Sequence, residues 1–254
     1  MTLLRPLTRS TGRTARPAVE LARLTPAQQL RAGRLGRRLP QLIAGLTLYG
    51  VSMAMMVRSG LGLDPWDVLH YGLAQYLPLS FGGVVIATGV VVLLLWVPLR
   101  QLPGLGTVAN AVVIGLVTDA ALSVLTAPGG LALRAALLVG GIVLNGLATA
   151  LYIGAQLGPG PRDGLMTGLV RRTGWSVRLT RTSIELGVVL TGWLLGGVVG
   201  AGTLAYALAI GPLVQAMLPR VIVRLEDHSP ASELAAVGFE DAPVRQGAVT
   251  PCLS

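Results

Sequence analysis

The sequence predicts an all-α membrane protein of six transmembrane helices, arranged as two inverted three-helix repeats that each carry a short interfacial or re-entrant helix. Three observations predict it. Of 254 residues, 52% are hydrophobic and 12% charged, and the mean hydropathy is +0.68, outside soluble globular usage. The chain resembles itself at a constant spacing of 96 residues: Gly62, Pro65, Asp67, Leu69 and Gly72 return as Gly158, Pro161, Asp163, Leu165 and Gly168. Arginine, which supplies all 20 basic side chains, is distributed unevenly between the apolar stretches.

Each element follows from the same observations. Six apolar stretches, at about 39–57, 81–99, 105–126, 132–154, 182–199 and 202–218, approach the roughly 20 helical residues that cross a bilayer. Residues 39–126 form the first three-helix repeat and 132–218 the second. With a cytoplasmic N-terminus, the inner segments hold Arg31, Arg34, Arg37, Arg38, Arg100, Arg162, Arg171, Arg172, Arg178, Arg181, Arg220 and Arg224. The outer segments hold only Arg58 and Arg134. The positive-inside rule therefore puts both termini in the cytoplasm of a cell-membrane protein. Three is an odd number of spans, so the second repeat starts from the opposite face and the halves are inverted.

The ends have their own character. Residues 1–38 carry nine Arg against Glu20, an Arg-rich tail suited to anionic lipid headgroups rather than nucleic acid, because aromatic side chains are not interleaved. Thr25-Pro26-Ala27-Gln28 reads as an N-cap, an N1 proline and a capping-box Gln. The helix they open has Leu30 and Leu35 among Arg31, Arg34, Arg37 and Arg38, so it is basic and amphipathic. Residues 225–254 form an acidic cytoplasmic tail whose composition predicts disorder.

The repeated Gly-x-x-Pro-x-Asp-x-Leu segment encodes a helix start. Gly62 and Gly158 permit backbone angles that other residues resist. Pro65 and Pro161 fit the first helical position, and Asp67 and Asp163 the third, where a carboxylate can accept from free N–H groups. Asp64 adds a capping side chain in the first copy, where the second has Gly160. The helices that follow, about 65–77 and 161–173, are too short to span. They either lie at the interface, with Trp66, Tyr71 and Tyr76 among the headgroups, or re-enter from opposite faces and bring their N-termini to a central substrate site.

Thr107, Ala111 and Gly115, repeated as Thr203, Ala207 and Gly211, put small side chains on one helix face and predict close packing. Gly192, Gly196 and Gly200 form a similar ridge on the fifth span. Polar residues within spans are costly and often functional. Asp119 is a candidate proton or cation site, or else a partner of Arg134 or Asn145. Glu185 lies one turn from Arg181 and predicts a local ion pair, while Asn110 and Asn145 predict interhelical hydrogen bonds. No catalytic, cofactor or metal constellation is legible: His70 and His228 are far apart and Cys252 is the single cysteine. An enzyme is not expected.

The paired motifs, LGLDPWDVL and LGPGPRDGL, with the apolar hairpins after them, resemble the YczE/YyaS/YitT-type bacterial integral membrane proteins over about residues 39–224. The resemblance implies a multi-pass cytoplasmic-membrane protein and assigns no activity. Two functions remain open: a small-molecule transporter or permease, which the inverted repeat favours, and a non-transporting regulatory or protein-interaction factor, which the scarcity of ionisable residues in the spans favours.

Overall fold

The computed structural model describes residues 25–225, and every described element is helical. After α1 (Pro26–Arg31) come α2 (Leu35–Ser59), α3 (Pro65–Ala74), α4 (Phe81–Trp96) and α5 (Leu105–Val124). Then follow α6 (Leu131–Gly154), α7 (Pro161–Thr173), α8 (Val177–Leu194) and α9 (Ala201–Val221). Each of α6 to α9 begins 96 residues after its counterpart among α2 to α5. Local chemistry repeats with them. Ser80 and Ser176 cap α4 and α8, and the Thr107 and Thr203 hydroxyls accept from the Gly104 and Gly200 N–H groups at the starts of α5 and α9.

Among the described residues four helices, α2, α5, α6 and α9, are long and apolar enough to cross a membrane. Helix α4 is shorter, and α8 carries Arg178, Arg181 and Glu185. The expected 182–199 stretch is displaced. Its helix starts five residues earlier because Ser176 caps it, and it stops at Leu194 because Gly196 turns to φ +89°. Gly196 and Gly200 are therefore off the helix, and only Gly192 of that ridge packs within it.

Helices α2 and α6 run antiparallel at the centre, with contacts that are reciprocal under the repeat. A Cβ on Gly45 would lie 2.8 Å from the Tyr152 nitrogen and 3.1 Å from the Ala148 oxygen. One on Gly141 would lie 2.9 Å from Met56 Cγ and 3.2 Å from the Ser52 oxygen, the corresponding positions. Glycine at both sites allows the backbone approach that drives helix association in lipid. Around this pair, α5 packs on α2 as α9 packs on α6. The short helices cross over: α3 packs on α8 and α7 on α4. Bulk is exchanged at those crossings, since Gly164 of α7 faces the buried Trp96 ring of α4, whereas Val68 of α3 faces Gly192 of α8.

Arg38 and Arg134, also repeat partners, hold the other repeat's first helix at its C-terminus. Arg38 Nε and Nη2 donate to the Ala155 and Gln156 carbonyls at 2.8 and 2.7 Å, while Arg134 Nε and Nη2 donate to Ser59 and Gly60 at 2.6 and 3.0 Å. Free carbonyls at a helix C-terminus attract such cations. This corrects the expectation for the N-terminal helix. The Thr25 capping box is present, but α1 ends at Arg31, Arg34 turns left-handed, and Arg38 is fully buried rather than facing headgroups. Arg31, Arg34 and Arg37 are exposed. The rest of the Arg-rich tail and the expected disorder of residues 226–254 fall outside the described residues.

Large apolar side chains cover the outside, among them Val91 and Leu94 on α4, Leu116 on α5, Val139 on α6, Leu190 on α8 and Leu208 on α9. Water would penalise such a surface and hydrocarbon would not.

Candidate functional site

The two Gly-x-x-Pro turns position the site. Gly62 and Gly158 sit at φ +125° and +124°, where a side chain would be strained and would also strike the start of the other repeat's last helix. Leu61 accepts from Gly202 N–H and Leu157 from Gly106 N–H, both at 2.8 Å. The Thr107 hydroxyl adds a bond to the Pro159 carbonyl at 2.7 Å. Anchored in this way, α3 and α7 direct their N-terminal ends toward each other. Pro65, Trp66, Asp67 and Pro161 are buried, so these helix starts are interior and Trp66 is not a headgroup residue.

Where the ends meet, the repeat partners Trp66 and Arg162 stack, with the guanidinium 4.9 Å from the ring centroid. Arg162 Nη1 is 3.8 Å from Asp64 Oδ1. Arg162 thus lies where the two helix starts meet, in contact with Trp66 and Asp64. Asp64 Oδ1 accepts from the Trp66 and Asp67 N–H groups at 2.9 Å each, so the cap belongs to Asp64 and not to Asp67. Asp67 turns to His70, whose Nδ1 is 3.0 Å from its Oδ1, and Phe81 meets the imidazole edge to face. Asp64 and Asp67 are 1% and 0% exposed, and the Oδ2 atom of each has no hydrogen-bond partner among the described residues. In the second copy Gly160 leaves α7 without a side-chain cap, and Asp163 Oδ2 accepts from the Tyr152 hydroxyl at 2.9 Å.

Between these ends lies a cavity of about 330 Å³. Tyr49, Asp64, Trp66, His70, Asn110, Tyr152, Arg162, Asp163 and Tyr206 line its interior. Arg181, Glu185 and Gln215 line the part between α8 and α9. The Arg181–Glu185 pair closes at 2.8 Å, as the spacing predicts.

The remaining candidates separate. Asn145 donates to Ser52 Oγ at 2.9 Å and accepts from the Tyr206 hydroxyl at 3.0 Å, joining α6 to α2 and α9. Asp119 is half-buried near the end of α5 and pairs with neither Arg134 nor Asn145. It accepts instead from the Ser80 hydroxyl and, at 2.7 Å, from the Gly82 N–H at the start of α4. Ala111 and Gly115 pack closely against Gly89 and Gly82 of α4. Their counterparts do not match them: Thr203 packs, but Ala207 is exposed and a Cβ on Gly211 would meet nothing within 4 Å. The reason is architectural. Helices α4 and α5 lie together along their length, whereas α8 and α9 stand apart, and the cavity extends into that gap.

Sequence reasoning missed Arg162, Tyr49, Tyr152, Tyr206 and His70 as site residues. The signal for Arg162 was present, because the repeat aligns it with Trp66. The tyrosines lie on separate spans, and only packing brings them together.

Residues 36–219, more than half the chain, match the family of unknown function DUF6198. The chain belongs to this family. Over 189 residues this DUF6198 member is 41% identical to an uncharacterized protein of Haemophilus influenzae, covering 74% of its own length and 86% of that protein's. It is 34% identical over 197 residues to the uncharacterized membrane protein YczE of Bacillus subtilis, covering 76% and 91% of the two chains. To the uncharacterized protein YyaS of the same species it is 28% identical over 184 residues, covering 70% and 90%. No solved structure matches it. The apolar helices and the YczE likeness make this DUF6198 chain a helical membrane protein of the YczE type.

Proposed function

We propose that the chain is a secondary transporter for a small molecule. In this reading six spans form two inverted three-helix repeats, both termini are cytoplasmic, and α3 and α7 re-enter from opposite faces. The observation that carries it is the unequal state of two equivalent hairpins around one cavity: α4 and α5 closed, α8 and α9 open. An inverted repeat supplies alternating access when its halves exchange conformations. The antiparallel, reciprocal packing of α2 against α6 supports an axis in the membrane plane. With cytoplasmic termini, the Ser80–Gly82–Asp119 contact is the outer gate and the α8–α9 gap, with Arg181, Glu185 and Gln215, opens inward. Pro212 within α9 provides a flexible point beside Gly211.

In this reading the chain binds and moves its ligand and is not an enzyme. Exposed Arg31, Arg34 and Arg37 meet anionic headgroups at the inner surface.

Two experiments test the reading. Reporters fused after Gly129 and after Arg172 are expected outside and inside respectively; the same side for both removes the inverted topology. In proteoliposomes, a cavity ligand is expected to move across the bilayer. Binding without flux for every ligand bound would leave a regulatory membrane factor instead.

A further inference from the structure

We infer that the cavity is a receptor for a small organic cation, an ammonium or guanidinium compound, with Asp64 as counter-charge and Trp66, Tyr49, Tyr152 and Tyr206 as its aromatic wall. As a statement about cargo it rests on the transport reading; as a statement about binding it stands separately.

The first support is an incomplete carboxylate. Asp64, which lines the cavity, spends Oδ1 on two backbone N–H groups, while its buried Oδ2 has no partner among the described residues. Asp67 Oδ2, also buried, has none among the described residues either. Burying carboxylate oxygen without a donor is costly, and a ligand that brings N–H groups or positive charge removes that cost.

The second is charge balance. Among the described residues, Asp64, Asp163 and Glu185 line the cavity with only Arg162 and Arg181 as arginines. Glu185 engages Arg181 at 2.8 Å and Asp67 engages His70 at 3.0 Å, which leaves Arg162 with both Asp64 and Asp163. Its nearest approach to Asp64, 3.8 Å, is beyond hydrogen-bond length. The site is short of positive charge. The bare N-terminus of α7 does not reverse this, because Asp163 already supplies a carboxylate to that turn.

The third is the wall. The chain has only 4 Trp, 5 Tyr and 2 Phe, yet Trp66 and three tyrosines converge on this one cavity. Aromatic faces next to a carboxylate favour poorly hydrated organic cations. One cation is already there: the Arg162 guanidinium sits 4.9 Å from the Trp66 ring centroid and occupies the position a free cation would take. Arg162 therefore acts as an internal competitor that swings aside when the ligand arrives.

The test is titration of the purified full-length protein in detergent with methylammonium, tetramethylammonium and guanidinium chlorides, with sodium chloride and tetramethylammonium acetate as controls. Tryptophan fluorescence and calorimetry report binding. At least one organic cation should bind saturably, the acetate salt should add nothing to its chloride, and sodium chloride should be silent. Asp64→Asn, which keeps the helix cap but not the charge, should weaken binding by about tenfold or more. Arg162→Gln should tighten it by about tenfold, because the competitor is gone.

Binding of acetate that Arg162→Gln abolishes would replace the inference with an anion site. No saturable response to any organic cation, or a response to sodium alone, would also overturn it. If Asp64→Asn fails to fold, the sign of the Arg162→Gln effect still decides. Cation binding without flux of that cation in proteoliposomes would end the transport reading and leave the receptor standing; flux of an uncharged or anionic compound without cation binding would do the reverse.

Discussion

Removing the Asp119 carboxylate should unlock the closed hairpin. In wild type it accepts from the Gly82 N–H at 2.7 Å and from the Ser80 hydroxyl, joining the end of α5 to the start of α4. The second hairpin shows what its absence permits: Gln215 stands at the equivalent place, Ser176 has no such partner, and α8 and α9 are apart. A hydrogen bond to a charged group contributes about 1.5–3 kcal/mol when buried, and Asp119 is half-buried, so we take about 2 kcal/mol for the pair of bonds. That corresponds to a roughly 30-fold shift from closed toward open. Thr88 on α4 lines the cavity beyond this gate and provides a reporter. With Cys252 replaced by serine, a Thr88→Cys chain should react with an impermeant thiol reagent added outside about 30 times faster when it also carries Asp119→Ala. Asp119→Asn retains an acceptor and should give only about threefold. An unchanged or slower rate in the Ala variant, with normal membrane yield, would refute the gate.

Other variants test the frame around the site. Gly164→Ala should cost about 1–3 kcal/mol, read as a lower Tm, because its Cβ runs into the Trp96 ring; Trp96→Leu in the same chain should restore part of the loss. Arg38→Ala should cost about 3 kcal/mol by stripping a buried fork from the Ala155 and Gln156 carbonyls, and Lys should not rescue it. The more exposed Arg134→Ala should cost about 1 kcal/mol, so equal Tm losses for the two variants would contradict the burial argument. Asn145→Ala should lower stability by about 1 kcal/mol through loss of its bonds to Ser52 and Tyr206; no change in Tm would mean that these groups find other partners.

Much of the fold was legible because it is written locally and twice. Ser80 and Ser176, Pro65 and Pro161, and Gly62 and Gly158 mark helix starts whatever surrounds them, and their common spacing carries into the helices. Boundaries were less legible where hydropathy misled: α8 begins at a serine cap, with Arg178 and Arg181 inside the helix, and a hydropathy reading excludes them. Arg38 reads as a lipid-surface charge because periodicity records faces but not the carbonyls of a distant helix end.

The sequence by itself determined the helical class, four long apolar helices among the six expected spans, the repeat and the two short helices with their capping chemistry, because backbone propensity and hydropathy act over a few neighbouring residues. Only the tertiary structure decided that the starts of the short helices are buried against each other, that Arg162 stacks on Trp66, and that α4 and α5 pack together while α8 and α9 stand apart. The first two depend on contacts between the repeats, about a hundred positions apart, and the third on contacts 37 and 39 positions apart within one hairpin. They also depend on small differences, Gly160 for Asp64 and Gln215 for Asp119, whose consequences appear only when the two halves pack together.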